Sequence, residues 1–460
     1  MQNKFKTFKR RIGITGLSNC GKTVFLTSLI NHIKDHNPNQ FYIGNPDVQL
    51  RNFKHYPANQ LDKQFNYEGF RDTLVNHGLW PEKTSDYTFY RCSFERSDWL
   101  FTNIELEFFD FPGERMADAL MLEAMDYRMW SRAVLHHLKN QTEYREHATE
   151  FFNQLAMDSI SETEVVHAYK LALARLILNY KPLITPSTFL LGIDGDTPEI
   201  DSAEQIASKR YSGLNASMQF VPLSDAAMKK NKELAKTFAY RYTAYRRKVV
   251  LPVFSYLKNC HRLIVLIDIP TLLSAGNGMY DDNREIIEQM LDLLDPQTPI
   301  MWRAPKAMLN MMKMLTWKPG GITRVAFVAS KADMVHPTDF KHMQHLLEQM
   351  VKHYADGRRF FKAKYVNCSA IMSTEVVKGS SHMLIGWPVF NELGESLQPG
   401  GKYTMFEVSK LPQVWPQQWK EGEYFFTEVY PVIPARRNCP PKQMGIDHVL
   451  SFLLDESFFE

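Results

Sequence analysis

The stretch that decides the fold lies near the N-terminus and reads Gly16-Leu17-Ser18-Asn19-Cys20-Gly21-Lys22-Thr23. It fits the pattern G-x-x-x-x-G-K-[ST]. Residues 11–15 precede it with the length of a buried strand, and residues 24–30 follow it with the composition of a helix opening. A strand, a glycine loop and a helix in this order point backbone N–H groups and a helix N-terminus at one anion. The sequence therefore predicts a phosphate-binding loop.

Each position of this loop has an expected task. Gly16 and Gly21 allow tight curvature and a close approach of the backbone to an anion. The Lys22 ammonium is expected to reach the β- and γ-phosphates of a nucleoside triphosphate, and the Thr23 hydroxyl is expected to bind Mg²⁺. Both are candidate catalytic residues. The nucleotide contacts predicted from this stretch are Ser18, Asn19, Cys20, Gly21, Lys22, Thr23 and Val24.

Composition narrows the class of protein. A chain of 460 residues is long enough for two or more domains, or for one domain with large insertions. A formal net charge of +3 is too small to indicate nucleic-acid binding. Five scattered cysteines without a C-x-x-C pair favour reduced thiols over a disulfide framework or a zinc site. We therefore expect a cytoplasmic protein with no specific nucleic-acid partner.

The N-terminal residues leave one alternative open. Lysines and arginines at residues 4–11 alternate with two phenylalanines, which fits either a solvated lead-in to the first strand or peripheral contact with an anionic membrane. The segment lacks the apolar core of a signal peptide, and no apolar run in the chain reaches membrane-spanning length. A transmembrane segment is therefore not expected.

A second motif, D-x-x-G, ends a predicted apolar strand at Asp110-Phe111-Pro112-Gly113. An aspartate at a strand end, downstream of a phosphate loop, can hold Mg²⁺ through water, and the glycine N–H three residues later can contact the γ-phosphate. Asp110 and Gly113 are predicted to act in this way. Asp268 also ends an apolar strand and is the alternative magnesium ligand, although no glycine follows it at this spacing.

The long segment at residues 37–82 shows no sustained hydrophobic period, which is typical of a functional loop or an insertion. It occupies the place of the first switch segment of such nucleotide-binding proteins. The sequence at its end reads Trp80-Pro81-Glu82-Lys83-Thr84. We expect the Thr84 hydroxyl to complete the Mg²⁺ shell when the γ-phosphate is present, and Thr88 is the competing candidate.

The base is expected to be read after a predicted strand at residues 324–329, where the sequence is Ser330-Lys331-Ala332-Asp333. A carboxylate here can accept hydrogen bonds from guanine N1–H and the exocyclic amino group, whereas adenine offers no such donor pair. The lysine stem would cover the base plane, and a backbone N–H of the Ser369-Ala370 pair would contact guanine O6. The predicted base contacts are Lys331, Asp333, Met334, Ser369, Ala370 and Ile371.

The predicted fold class is α/β: a P-loop NTPase domain with a three-layer sheet architecture, a large all-helical insertion and a C-terminal extension. The residues after the D-x-x-G motif change character, because apolar and charged residues recur there at helical spacing. The predicted parts are residues 1–114 and 261–380 for the two parts of the nucleotide-binding core, 115–260 for the helical insertion, and 381–460 for the extension packed on the core.

Three finer predictions concern these added parts. Residues 225–260 are expected to form one helix that is kinked at Pro252, and residues 305–315 a methionine-rich core helix. In the extension, a strand pair is expected around residues 403–407 and 424–432.

The order of the four motifs, G-x-x-x-x-G-K-T, D-x-x-G, [NT]-K-x-D and S-A, resembles that of a Ras-like GTPase domain. Residues 14–29, together with Trp80-Pro81 and Asp110-Phe111-Pro112-Gly113-Glu114, resemble the YcjX-like family of bacterial P-loop proteins. This resemblance covers most of the chain, including the helical insertion. It implies a soluble, stress-associated protein that binds GTP and GDP.

The chain departs from the general GTPase pattern at two positions. Ser330 replaces the usual asparagine or threonine, which implies looser base selectivity. Glu114 stands where many relatives carry glutamine, and its carboxylate can orient water but repels the γ-phosphate. Slow intrinsic hydrolysis of GTP is therefore expected, with Glu114 as a candidate catalytic residue.

Two further sources of positive charge are candidates for catalysis, because the transition state of phosphoryl transfer spreads negative charge over the γ-oxygens. Asn19 gives the loop a form in which some GTPases bind K⁺, or else it only tightens the loop. Arg115 directly follows the D-x-x-G motif, and Arg128 and Arg132 share one helix face further on. These arginines either reach the phosphates from within the chain or form ordinary surface contacts.

Three functions remain open at this level. The leading hypothesis is a GTP-driven switch, in which GTP orders residues 37–88 and the segment after Gly113, and hydrolysis releases them. An ATP-hydrolysing P-loop protein and a nucleotide-binding scaffold without turnover are the alternatives. A switch implies a protein effector, which the sequence does not name.

Overall fold

The computed structural model describes residues 6–16, 19–57, 63–82, 87–99, 102–111, 113, 116, 118, 120–123, 126–140, 142–179, 190, 202–208, 216–294, 321–356, 361–379, 382–391, 394–434 and 439–455. The described residues within 1–111, 259–284 and 319–460 form one compact unit, termed the sheet unit. Those within 112–258 and 285–318 form a second, termed the helical unit. The domain boundaries given above remain predictions.

The sheet unit is built on a seven-stranded sheet. Its strands are β1 Lys6–Gly16, β2 Leu50–Tyr56, β3 Thr88–Arg96, β4 Thr102–Asp110, β5 Arg262–Ile267, β6 Arg324–Ala329 and β7 Lys362–Asn367. Their order across the sheet is β2-β3-β4-β1-β5-β6-β7. The strands from β4 to β7 in this order are parallel, whereas β3 pairs antiparallel with both β4 and β2. The carboxyl ends of the five parallel strands therefore share one edge of the sheet.

Helices are numbered along the whole chain. Those of the sheet unit are α1 Lys22–Lys34, α2 Tyr67–Asp72, α12 Ile269–Ala275, α14 Phe340–Asp356 and α15 Ile446–Leu453. Those of the helical unit are α3 Leu120–Glu123, α4 Tyr127–Asn140, α5 Thr142–His147, α6 Thr149–Ala156, α7 Glu162–Asn179, α8 Ala203–Ser208, α9 Asp225–Lys230, α10 Lys232–Tyr245 and α11 Leu251–Lys258. The division between the units falls inside α13, Asn277–Leu294, after Arg284.

One core cluster fixes α1 and α15 on the sheet. β5 and β6 are buried at every position, as expected of central parallel strands that are covered on both faces. Alternate residues of a strand share a face, and Ile264 and Val328 belong to a cluster that also contains Leu29 of α1 and Leu450 of α15. α14 packs against β6 and β7. The result is a three-layer α/β domain with a glycine loop between β1 and α1, which is the predicted P-loop NTPase fold.

Two buried arginines hold the end of α15. Arg262 Nε donates to the Leu453 carbonyl at 3.1 Å, and Arg324 Nη1 donates to the Phe452 carbonyl at 3.2 Å. The last carbonyls of a helix have no partner within the helix and carry partial negative charge, so a guanidinium is favourable at this end. The C-terminal helix is therefore part of the core of the sheet unit.

The predicted strand pair at residues 403–407 and 424–432 is wrong. β10, Thr404–Glu407, pairs antiparallel with β9, Met383–Gly386, and β9 pairs with β8, Thr374–Val376. These strands form a separate three-stranded sheet in the order β10-β9-β8.

Two tryptophans explain why the predicted hairpin does not form. Trp415 Nε1 donates to Leu346 O of α14 at 2.8 Å, and Trp419 Nε1 donates to Leu273 O of α12 at 2.9 Å. The chain between the two predicted strands is thus anchored to helices. Pro431 also removes a hydrogen-bond donor from the second predicted strand.

The region at residues 225–260 is not one helix. Asn231 separates α9 from α10, and a five-residue π-turn, Arg246–Val250, separates α10 from α11. Pro252 is the second residue of α11, and its ring would clash with the carbonyl four residues earlier in a regular helix. The π-turn, which is wider than a turn of α-helix, includes the residue whose carbonyl would clash with the proline ring. The predicted helix at residues 305–315 lies outside the described residues.

Candidate nucleotide-binding site

The glycine loop connects β1 to α1, and its backbone requires glycine at two positions. Gly16 has φ +149°, and a Cβ there would lie 2.3 Å from the Leu266 carbonyl oxygen of β5. Gly21, directly before α1, has φ +84°, and Asn19 has φ +64°. The chain therefore turns into the helix through left-handed residues, and a helix N-terminus is a favourable place for an anion. Ser18 lies outside the described residues.

Lys22 is the first residue of α1 and is 8% exposed. Its Nζ donates to the Gly16 carbonyl at 3.1 Å and lies 3.9 Å from Cys20 Sγ. The ammonium is thus held against the loop at a helix N-terminus, and both favour a bound anion. Thr23, the next residue, is also buried. Burial raises the pKa of the Cys20 thiol, so this side chain is an uncharged thiol at neutral pH.

Asp110 ends β4 beside this loop. It stands in register with Ile14 of β1, and Phe111 N donates to Ile14 O at 2.8 Å. Thr88, the first residue of β3, lies opposite Asp110 in the antiparallel pair, and among the described residues its buried Oγ1 has no hydrogen-bond partner. A carboxylate and a hydroxyl fit Mg²⁺, which takes few protein ligands beside phosphate oxygens. Thr84 lies outside the described residues.

Asp268, the alternative magnesium ligand, has other partners. It is the N-cap residue of α12, where Oδ1 accepts from Thr271 N at 3.0 Å and Oδ2 accepts from Thr271 Oγ1 at 2.7 Å. Lys331 Nζ lies 2.7 Å from the same Oδ2. Asp268 therefore serves as a helix cap and an ion-pair partner, and Asp110 stays the predicted metal ligand.

Asp333 lies in a short 3₁₀ turn after β6 and is 6% exposed. Ser369 Oγ donates to its Oδ1 at 2.7 Å, and Ser373 N donates to its Oδ2 at 3.3 Å. Burial raises the pKa of the Asp333 carboxyl, and these hydrogen bonds only partly offset the increase. Each carboxylate oxygen can accept a second hydrogen bond, so Asp333 keeps acceptor capacity for a base.

The Ser369-Ala370 pair follows β7 and is tied to two other segments. Ser28 Oγ of α1 donates to the Ala370 carbonyl at 2.6 Å. Ser369 N donates to Met444 O at 2.9 Å, so that backbone N–H is already used. Of this pair, the N–H to consider for a base oxygen is therefore that of Ala370.

Three other predicted contacts belong to the walls of the site. Val24 and Ile371 pack in a small apolar cluster with Leu74 and Val75, and Met334 is buried. The small cluster joins α1, through Val24, to the segment after β7, through Ile371. The structure thus brings together the carboxyl ends of β1, β4, β5, β6 and β7 with their polar residues.

The residues that the sequence patterns miss belong to the C-terminal extension. Trp80 Nε1 donates to Val429 O at 2.8 Å across 349 positions of sequence. A Cβ on Gly78, which has φ +63°, would lie 3.0 Å from Ile433. Glu428 raises the pKa of the Lys331 ammonium through its charge. No local motif marks these contacts, because each joins segments that are far apart in the sequence.

The chain matches the YcjX-like family, DUF463, over residues 10–458. It belongs to this family. The family prediction made from the motifs is thereby confirmed. Two relatives both carry the name Ras-like GTPase YcjX. The one from Shewanella oneidensis is 24% identical over 490 residues, which cover 95% of this chain and 91% of that protein. The one from Escherichia coli is 24% identical over 479 residues, and the match covers 97% of this chain and 95% of that protein.

A solved structure is also similar to this YcjX-like protein. It is the signal recognition particle receptor SRb-GTP/SRX complex from Chaetomium thermophilum, with 11% sequence identity and a TM-score of 0.27. The match covers 80% of this chain and 95% of that one. A TM-score this low supports no conclusion about the site, so the fold assignment rests on the sheet order and the loop.

The remaining catalytic candidates belong to the helical unit of this YcjX-like protein. Gly113 is buried, and Glu114 and Arg115 lie outside the described residues. Both other arginines bind one carboxylate of α9, because Arg128 Nε lies 2.5 Å from Asp225 Oδ1 and Arg132 Nη2 lies 2.8 Å from Asp225 Oδ2. More than half of each arginine side chain is exposed. They therefore form surface ion pairs.

Two features are absent from the described part of the chain. No helix there is long and apolar enough to cross a membrane. No group of three or more His, Cys, Asp or Glu side chains there could hold a metal ion by itself.

Proposed function

We propose that this YcjX-like protein binds GTP and GDP at the carboxyl edge of its central sheet and slowly hydrolyses GTP to GDP and phosphate. The observation that carries the proposal is the position of Asp333, a buried carboxylate that Ser369 and Ser373 hold at the same sheet edge as the glycine loop. The name Ras-like GTPase, which both relatives carry, supports it.

Base recognition follows from the hydrogen-bonding inventory. The two oxygens of Asp333 would accept from guanine N1–H and the exocyclic amino group, while Ser369 Oγ and Ser373 N fix the carboxylate. An adenine ring would leave these acceptors without donors, which is costly in a buried site. The Ala370 N–H would donate to guanine O6, and the Lys331 stem would cover the ring. Ser330, in place of asparagine or threonine, would loosen this selectivity.

The phosphates would lie on the glycine loop. Lys22 would neutralise the β- and γ-phosphates from the start of α1, in line with the position of its ammonium against the loop. Thr23 and Asp110, with either Thr84 or Thr88, would hold Mg²⁺. The ion would supply charge neutralisation at the phosphate oxygens. Gly113 N–H would contact the γ-phosphate.

Hydrolysis is proposed to be slow. Glu114 would orient the attacking water, but its negative charge would repel the γ-phosphate. Arg115 is the arginine that we propose for stabilising the transition state, because Arg128 and Arg132 would first have to leave Asp225. Asn19 would add K⁺ as a further positive charge.

We propose a switch as the biological role. GTP would order residues 37–88 and the segment after Gly113, and a protein effector would bind that state. The five cysteines are all free thiols, which supports a reducing, cytoplasmic setting. Association with a stress response rests on the family resemblance alone, and peripheral membrane contact rests on the basic residues of the N-terminal segment.

The test is equilibrium binding of GTP, GDP, ATP and ADP with and without Mg²⁺, followed by single-turnover hydrolysis of GTP. We expect tight binding of the guanine nucleotides and a slow release of phosphate. Asp333→Asn should weaken GDP binding and admit xanthine nucleotides, whereas Asp98→Asn, at the opposite edge of the sheet, should change neither. A preference for ATP and ADP would contradict the proposal, and tight GTP binding with no turnover would reduce the protein to a nucleotide-binding scaffold.

A further inference from the structure

Two neighbouring strand ends bring a buried acid and a lysine together beside the base site. β5 and β6 pair in parallel as far as Ile267 and Ala329, and Ser330 N donates to Ile267 O at 2.9 Å. Asp268 directly follows β5 and Lys331 is the second residue after β6, and Lys331 Nζ lies 2.7 Å from Asp268 Oδ2. The ion pair is therefore a product of the sheet register.

The Asp268 carboxylate is immobilised. As the N-cap residue of α12 it accepts from Thr271 N at 3.0 Å and from Thr271 Oγ1 at 2.7 Å, and its side chain is only 7% exposed. A carboxylate with two short hydrogen bonds to one helix turn has little freedom to rotate. Such a group can define where a lysine head rests.

Lys331 is constrained at both ends. Its backbone has φ +56°, a left-handed conformation that residues other than glycine rarely adopt, and its ammonium is held by Asp268. Burial lowers the pKa of the Lys331 ammonium, but the charge and the hydrogen bond of Asp268, together with the charge of Glu428, raise it by more, so the lysine stays charged. A third of the side chain remains exposed, which leaves the stem available to a ligand.

We propose that Asp268 is a positioning residue for guanine binding: it holds the Lys331 head so that the methylene stem forms the surface on which the base rests. This inference rests on the proposed function and deepens it. Because Asp268 already neutralises the ammonium, Lys331 serves the base and contributes little to phosphate binding. A ligand without a base should therefore be insensitive to Asp268.

The experiment measures the affinity of GDP and of inorganic pyrophosphate by calorimetry in the full chain with Mg²⁺. Asp268→Asn should weaken GDP binding roughly tenfold, as expected for the loss of a charge-assisted contact, with pyrophosphate affinity unchanged within about twofold. Lys331→Ala should do the same. In the Lys331→Ala background, Asp268→Asn should cost no more than about twofold further, because the pair acts as a unit. Asp158→Asn, which breaks the exposed ion pair between Asp158 and Lys230, is the matched control and should leave GDP affinity within about twofold.

Each other outcome has a defined meaning. Equal losses of GDP and pyrophosphate affinity in Asp268→Asn would reduce Asp268 to a helix cap and overturn the proposal. If that variant fails to fold, Lys331→Ala decides the matter, since a third of the Lys331 side chain is exposed, and unchanged GDP affinity would overturn the role of the pair. A wild-type protein that binds pyrophosphate but not GDP would overturn the proposed function itself.

Discussion

Lys22 shows how one charge can matter to binding and little to folding. Its ammonium bonds to the Gly16 carbonyl within the loop, and its stem lies at the first turn of α1. Lys22→Ala should therefore weaken GTP and GDP binding by about 100-fold or more, since it removes a point charge from the phosphates, with little change in the midpoint of thermal unfolding. Calorimetric titration and a melting curve measure the two effects.

Lys34→Ala is the matched control for this substitution. Lys34 ends the same helix and pairs with Glu68 at the surface, so its loss should leave nucleotide affinity unchanged. Full GTP affinity in a folded Lys22→Ala protein would mean that the nucleotide site lies elsewhere in the chain.

The residues of the candidate site could be predicted where they belong to a local motif, but not where a contact joins residues from different strands. The loop residues and Asp333 are marked by their spacing behind apolar strands. Ser373 supports Asp333 from 40 positions away, and Asp268 meets Lys331 only because β5 and β6 are neighbours. The sequence places Asp268 at a strand end, but it does not show which strand lies beside β5 or in which register. The partner of Asp268, Lys331, could therefore not be predicted.

Among the elements, α1 carries a buried histidine that should make the fold sensitive to acid. His32 Nε2 lies 3.0 Å from Pro441 O, and the ring stacks on Phe41. Burial lowers the pKa of His32 to about 4, with a smaller contribution from nearby His36. The folded state therefore binds this proton less readily than the unfolded state, whose pKa is 6.5. The stability is complete above pH 6.5 and is lost as pH falls toward 4, by up to about 3 kcal/mol.

The measurement is the free energy of unfolding in denaturant at pH 7 and at pH 4.5. His261 also has a pKa lowered to about 4, so the comparison must be between variants. His32→Gln should reduce the loss of stability on acidification, whereas His448→Gln, at an exposed position, should keep the wild-type loss. Equal losses in wild type and His32→Gln would show that His32 does not carry the effect.

In the helical unit, the π-turn meets the segment after the D-x-x-G motif. Tyr245 Oη donates to Asp118 Oδ2 at 2.9 Å, and Arg246 Nε donates to Met121 O at 2.7 Å. Tyr245→Phe removes one donor from a buried carboxylate and should destabilise the protein by about 1–3 kcal/mol. Tyr240→Phe, an exposed tyrosine of the same helix, should cost less than about 0.5 kcal/mol in the same denaturation assay. Equal costs would contradict the role of the Asp118 contact.

Elements were predictable in proportion to their burial. β5 and β6 are buried throughout and read as apolar runs, whereas β2, at the sheet edge, has no fully buried residue and no alternation to detect. The six-residue α2 is too short for a helical period, and its start depends on the Asn66 side chain, which accepts from Gly69 N at 3.2 Å. The hairpin expected in the extension failed because tryptophan contacts with distant helices outweigh local strand propensity.

At the scale of the whole molecule, the chain leaves the sheet unit directly after Phe111 and returns at Asn259, just before β5. The D-x-x-G motif therefore straddles the point where the helical insertion begins. The C-terminal helix, in contrast, belongs to the sheet unit: α15 packs in its core, and the last carbonyls of α15 accept hydrogen bonds from Arg262 and Arg324. No local sequence pattern predicts these contacts, because they join residues that are far apart in the sequence.

The extension also reaches the segment that we propose as the first switch. The Trp80 indole donates to Val429 O at 2.8 Å, and Ile433 leaves no room for a side chain at Gly78. Glu428, next to Val429 in the sequence, raises the pKa of Lys331 in the base motif through its negative charge. One short segment of the extension is thus linked to both the base motif and the chain before Thr84, so it should restrain the exchange of nucleotide.

Trp80→Phe tests this restraint, because it removes the indole N–H and keeps an aromatic ring. Loss of one hydrogen bond should loosen the segment and raise the dissociation rate of GDP about fivefold, with a smaller effect on the unfolding midpoint. Stopped-flow release of a fluorescent GDP measures the rate. Trp415→Phe is the matched control, since its indole makes an equivalent 2.8 Å bond to Leu346 O on α14 and its loss should leave the GDP rate unchanged. The same rate in both variants would separate the extension from nucleotide exchange and limit Trp80 to a contact that stabilises the fold.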